Sequence, residues 1–207
     1  MSDLVDGRVR RGAESREARR AQILERALDV FAERGYYRTS VTDLVKAAGV
    51  ARGTFYLYFD GKEALFLELL EQLLSKFRGN IVGAETGPEA PPLAEQLANI
   101  VASILDTLQE NRSLTRIIFR EAVAVDEAVE NRLRDFYGEL FSYIAGTLRL
   151  GEAVSFTRPV DTDVVATCIL GSLRGVVQRY VVDRDEPLDA AAMAGTIVDF
   201  NLNGIRM

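Results

Sequence analysis

Catalysis near neutral pH usually runs through histidine or a cysteine thiolate, and this 207-residue chain holds no histidine and a single cysteine, Cys168. One cysteine forms neither an intramolecular disulfide nor a Cys/His metal or catalytic pair. No paired-acid spacing, glycine-rich phosphate loop or nucleophile motif stands elsewhere. The sequence therefore predicts no catalytic residue, no metal site and no cofactor, and an enzyme is disfavoured.

What remains is the chemistry of charge and hydroxyl groups. The net charge of −6 would repel a polyanion if it were spread evenly, and it is not. Through Asp60 the chain holds 11 Lys/Arg against 9 Asp/Glu, and the remainder holds 14 against 22. Local cations decide phosphate contact, so the first part can meet DNA while the acidic remainder faces away. No apolar run approaches the roughly 18 residues needed to span a bilayer. The opening MSDLVDGRVRR lacks the apolar stretch of a signal peptide, so a cytosolic protein with no membrane partner is expected.

Apolar residues recur at three- and four-residue steps almost throughout, which predicts an all-α fold of about nine helices. Ile23, Leu24, Ala27, Leu28 and Phe31 mark a first helix over 15–34, stopped by Gly35; residues 1–14 read as a flexible basic arm. A short second helix follows Thr39 or Ser40, either of which can cap it, and carries Val41, Leu44, Val45 and Ala48. After Gly49 a third helix over 52–59 places Phe55 and Phe59 on one face and Arg52 and Tyr56 on another. Asp60 with Glu63 suggests a capped start to a fourth helix through Leu65, Leu69, Leu70 and Leu73. The Gly- and Pro-rich stretch 79–92 is the clearest break. Beyond it, helices are predicted over 93–108, 112–124 with Asn111 as cap, 126–150, 162–182 with Asp161 as cap, and 188–202. The expected organisation is a basic arm (1–14), a helix-turn-helix unit (15–60) and a helical body (61–207).

Two short helices joined by Ala48-Gly49-Val50-Ala51 behind a longer supporting helix form the helix-turn-helix pattern. The whole run TSVTDLVKAAGVARGTFYLYFDGKEALF resembles the DNA-binding domain of the TetR family of bacterial regulators over roughly residues 20 to 70. The Ala-Ala-Gly-Val turn, the Gly-Thr-Phe-Tyr-x-Tyr-Phe recognition helix and the Lys-Glu-x-Leu opening of the fourth helix carry the resemblance. Ala51 in place of a Ser-like cap, and Gly61 in place of Ser or Asn, depart from it. The resemblance implies that Thr42, Arg52, Gly53, Thr54, Tyr56, Tyr58 and Lys62 face double-stranded operator DNA. Their chemistry suits that role, since Arg52 can pair bidentately with guanine, Gly53 admits close backbone approach, and Thr42, Tyr56, Tyr58 and Lys62 can donate to phosphate.

The resemblance also implies a homodimer on a near-palindromic site, and a body that binds a small-molecule effector. The stripe from Thr162 onward, with Cys168, Gly171, Ser172, Gly175 and Val176, and the small residues Ala191, Ala192 and Gly195 suit tight helix pairing between two copies. Ile104, Leu108, Phe119, Val123, Phe136, Tyr137, Phe141 and Tyr143 are the candidate pocket lining, with Arg116 or Arg120 as polar anchor and an apolar effector, acyl or aromatic, as occupant. Two alternatives stay open: a DNA-binding accessory protein without effector, and a redox-responsive regulator using Cys168. The family expectation is repression.

Overall fold

The computed structural model describes residues 2–81, 85, 87, 89–121 and 127–205; for residues 2–13 and 121 it describes the backbone alone. Among the described residues the chain is helical without strands. The helices are α1 (Ser2–Arg34), α2 (Val41–Ala48), α3 (Arg52–Tyr56), α4 (Lys62–Asn80), α5 (Leu93–Glu110), α6 (Arg112–Glu121), α7 (Glu127–Ala153), α8 (Thr162–Val177) and α9 (Ala190–Asn203). The last turn of α8 widens into a π-helical turn, Gln178–Val182. No helix of the described residues is long and apolar enough to cross a membrane.

Helix α1 runs from Ser2 and so takes in most of the stretch 1–14 expected as a basic arm. Gly7 and Gly12 lower helix propensity, but once the buried segment from Ile23 has nucleated the helix, each added residue fixes one backbone, not three, for the hydrogen bond it gains. At the other end Gly35 stops α1 with φ +81 and donates its N–H to the Phe31 carbonyl at 2.8 Å.

Of the two candidate caps for α2, Ser40 is the one used. Its hydroxyl accepts from the Asp43 N–H while the Asp43 carboxylate accepts from the Ser40 N–H, a reciprocal capping box. Thr39 instead donates its hydroxyl to the Gly35 carbonyl at 2.7 Å. Asp60 does not cap α4; Gly61 takes that position in extended backbone with no side-chain bond. Asn111 likewise fails as a side-chain cap of α6, because its amide donates to the Thr107 carbonyl at 2.7 Å and its oxygen accepts from Lys76. Asp161 and Asp189 cap α8 and α9 through the N–H groups of Val164 and Ala192.

One buried cluster runs without interruption from Ile23 and Phe31 through Leu44, Phe55 and Phe59 into Leu105, Ile117, Phe136 and Val181. The helix-turn-helix head and the body thus share a core. Helix α4 is its spine, with Leu65, Phe66, Leu69, Leu70, Leu73, Leu74 and Phe77 all buried. At about 1.5–3 kcal/mol for each such side chain, α4 contributes more burial than any capping term could. Phe31 and Tyr36 pack on Phe66 at ring distances of 5.8 and 4.9 Å, and Arg20 pairs with Glu68, fixing α1 against α4. Helix α6 in turn packs on α1 and on the π-helical turn.

Candidate nucleic-acid interface and effector cavity

The short recognition helix α3 is held by what lies beneath it. Gly49 adopts φ +64, a left-handed conformation costly for a residue with Cβ, and so turns the chain between α2 and α3. Ala51 offers no side-chain cap; buried Phe55 and Phe59, 5.8 Å apart, anchor the helix in its place. The opposite face is free. Arg52, Gly53 and Tyr56 are exposed there, with the Arg52 guanidinium 5.8 Å from the Tyr56 ring centroid. Thr42 is exposed on α2 and Thr54 half-buried beside them.

Two of the expected contacts are more tightly engaged within the chain. Tyr58 is half-buried under Arg16, whose guanidinium lies 5.8 Å from its ring. Lys62 donates to the Tyr36 carbonyl at 3.1 Å and sits 4.3 Å over the Tyr36 ring. One ammonium hydrogen is therefore committed, and two remain for phosphate. Arg16 and Arg19, which are not among the expected contacts, line with Ser15, Thr54, Leu57 and Tyr58 a groove beside the recognition helix. Their i, i+3 spacing, one turn before the apolar stripe of α1, was the available signal. Below α2, hydrogen bonds from the Ser40 hydroxyl and main-chain N–H, followed by Arg34, hold the Asp43 carboxyl below its ordinary range.

In the body, α4 to α9 enclose a cavity of about 230 Å³ with almost wholly apolar walls. Of the candidate lining residues, Ile104, Leu108, Phe119, Phe136, Tyr137 and Tyr143 face it. Val123 lies outside the described residues. Phe141 does not line it and packs instead against the smaller cluster of Ala145, Leu148, Ala166 and Ile205. Arg116 and Arg120 do not reach it either. Arg116 donates to the carbonyls of Val182 and Arg184 and pairs with Asp185, and Arg120 also donates to Val182. The Val182 carbonyl ends the π-helical turn, where a helix leaves its carbonyls without intrahelical partners, and both cations donate to it. The charged residue at the cavity is Arg174 of α8, 5.9 Å from the ring centroids of both Phe119 and Tyr137. Burial raises the Tyr143 hydroxyl above its ordinary range.

On the outside of the body, Cys168, Gly171, Gly175, Ala191, Ala192 and Gly195 are exposed. Val164 and Phe200 extend this apolar face, Phe200 at 73% exposure. Ser172 and Val176 turn inward: the Ser172 hydroxyl exchanges hydrogen bonds with Asn201, and Val176 packs on the main core.

A helix-turn-helix head with an exposed recognition face, fused through a common core to a helical body, defines a helix-turn-helix class of transcription regulator. Residues 23–69 match the family model of the TetR-type bacterial regulatory proteins, and residues 90–205 match that of the tetracyclin repressor-like C-terminal domain. The chain belongs to the TetR family of helix-turn-helix transcription regulators. It is 26% identical to the uncharacterized regulator YdgC of Bacillus subtilis over 197 residues, covering 94% of each chain. The fatty acid degradation regulator FadR of Bacillus halodurans is 27% identical with a TM-score of 0.71, over 90% of this chain and 95% of that one. FadR of Bacillus subtilis, solved in complex with stearoyl-CoA, is 25% identical with a TM-score of 0.70, over 90% and 99%.

Proposed function

We propose that the protein is a homodimeric repressor that binds a near-palindromic operator and is released when a small apolar effector fills the cavity of its body. The observation that carries this reading is the path from cavity to head: Thr115, Ile118 and Phe119 of α6 line the cavity, and the same helix packs on α1 of the head. An effector acts only through better binding to the DNA-free conformation, and a helix touching both regions is where that difference is felt. The likeness to FadR, solved with stearoyl-CoA, supports an apolar occupant.

Dimerisation is supported by the exposed face of α8 and α9. A Cβ on Gly171, Gly175 or Gly195 would meet nothing within 4 Å, so the chain's own packing does not call for glycine there, whereas a partner helix at close range would. Two-fold pairing then sets two α3 helices into successive major grooves. The contacts assigned to DNA are those of Thr42, Arg52, Gly53, Thr54, Tyr56, Tyr58 and Lys62, with Arg52 as base reader.

Selection of binding sites from a random DNA pool at a fixed moderate salt concentration tests this. Wild type is expected to enrich a palindrome, and Arg52→Ala to relax one position in each half-site. Enrichment of single asymmetric half-sites would remove the dimeric reading. Ligand-dependent stabilisation separates the regulator from an accessory protein without effector, and unchanged DNA affinity after peroxide treatment removes a redox role for Cys168.

A further inference from the structure

Resting on the effector reading above, we propose that Arg174 is the head-group anchor of the cavity and that the effector is an acyl chain ending in an anionic group. Both halves come from the shape and chemistry of the walls. Along α7 the lining extends from Leu133 to Leu148, which at about 1.5 Å per residue is roughly 20 Å. An apolar cavity of about 230 Å³ whose lining follows α7 over that distance suits an extended acyl chain. Polar lining residues do little to interrupt it. Thr115 and Thr147 donate their hydroxyl hydrogens to main-chain carbonyls, and the Asn201 amide bonds to Ile197 and Ser172.

Arg174 is the exception. Among the described residues it is the single charged residue of the lining, and no carboxylate pairs with it. Phe119 and Tyr137 hold its guanidinium at their ring faces, which steadies the group without using its N–H donors. It is also exposed, so it stands where the slot meets solvent, between α6, α7 and α8. A planar cation with no carboxylate partner among the described residues, at the mouth of an apolar slot, selects a bidentate anion with an apolar tail. A carboxylate supplies that chemistry directly, and an acyl thioester supplies it through its phosphorylated carrier.

Calorimetric titration of the full-length protein with dodecanoate, 1-dodecanol, dodecylamine and dodecanoyl-CoA, each below its micelle-forming concentration, separates the possibilities. Wild type is expected to bind dodecanoate or dodecanoyl-CoA about tenfold or more tightly than dodecanol, with dodecylamine weakest; the tighter of the two anions identifies the source of the head group. Arg174→Leu is expected to erase the preference while leaving dodecanol binding unchanged, and Arg174→Lys to keep part of it. Wild type that does not distinguish the four, or a preference that survives Arg174→Leu, overturns the anchor and leaves the apolar cavity standing. Binding of none of the four overturns the anchor and the effector reading together. If Arg174→Leu loses its helical circular dichroism, the wild-type order of carboxylate, alcohol and amine still decides.

Discussion

Glu71 offers the most direct test of how the body holds α4 in place. Its carboxylate accepts from Arg132 at 2.7 Å and from Arg78 at 3.0 Å, and Arg78 continues to Glu139 at 2.9 Å. Four alternating charges thereby join α4 to α7. Hydrogen bonds from Arg132 and then Arg78 lower the Glu71 carboxyl from 4.5 to about 2, a gap that would be worth about 3 kcal/mol in a shielded site. Glu71 and Glu139 are 48% exposed and Arg78 is 38% exposed, so solvent screening reduces the expectation for Glu71→Gln to about 1 kcal/mol. The folded carboxyl ionises more readily than the unfolded one. Its contribution is therefore complete above the ordinary 4.5 and is lost as pH falls through about 2. Urea unfolding followed by helical circular dichroism, at one fixed protein concentration so that self-association does not enter the comparison, provides the assay. Wild type should exceed Glu71→Gln by about 1 kcal/mol near neutral pH and low salt, and the gap should fall to about half or less near pH 3. It should also shrink as salt shortens the Debye length from about 10 Å to about 3 Å. No gap at neutral pH, or a gap indifferent to both acid and salt, would refute the electrostatic account of this seam.

Three further outcomes are expected. Ser40→Ala removes one half of the capping box and should destabilise the protein by about 1 kcal/mol in the same assay, with a steeper loss of operator affinity than of body stability. Phe55→Ala empties a site that is fully buried and should cost about 3–5 kcal/mol. DNA binding would then be lost with every sequence, whereas Arg52→Ala should cost about 1–3 kcal/mol at one base position of each half-site only. Phe200→Glu places a charge on the exposed α8/α9 face and should shift sedimentation equilibrium toward monomer while leaving helix content unchanged; a persistent dimer would move the interface elsewhere.

The head was legible because its signals are local. Gly35 and Gly49 stop helices by a backbone conformation that other residues adopt at a cost, and Phe55 with Phe59 declare a buried face by spacing alone. The fine choices were not legible. Ser40 and Thr39 are equally good caps by residue type, and the Gly35 carbonyl at 2.7 Å from the Thr39 hydroxyl decides between them. In the body the arginines show the limit most clearly. Arg116 and Arg120 stand on an amphipathic helix next to pocket residues, yet their partners are carbonyls freed by a π-helical turn over sixty residues away in sequence, and nothing in local periodicity announces such a turn. Arg174 was hidden for the converse reason, as a polar interruption in an apolar stripe. Only the approach of α6 and α7 places aromatic rings around it.

The continuous core between head and body bears on how such regulators can be recombined. If the two regions were joined by a tether, a new operator specificity could be grafted by exchanging the first sixty residues. Here α1 packs on α6 and shares one cluster with it, so a transplanted head carries a foreign surface to that seam. Chimeras that exchange only the exposed face of α2 and α3 preserve the seam and should stay inducible. Whole-head chimeras should bind DNA yet respond poorly to effector until the facing residues of α6 are exchanged with them.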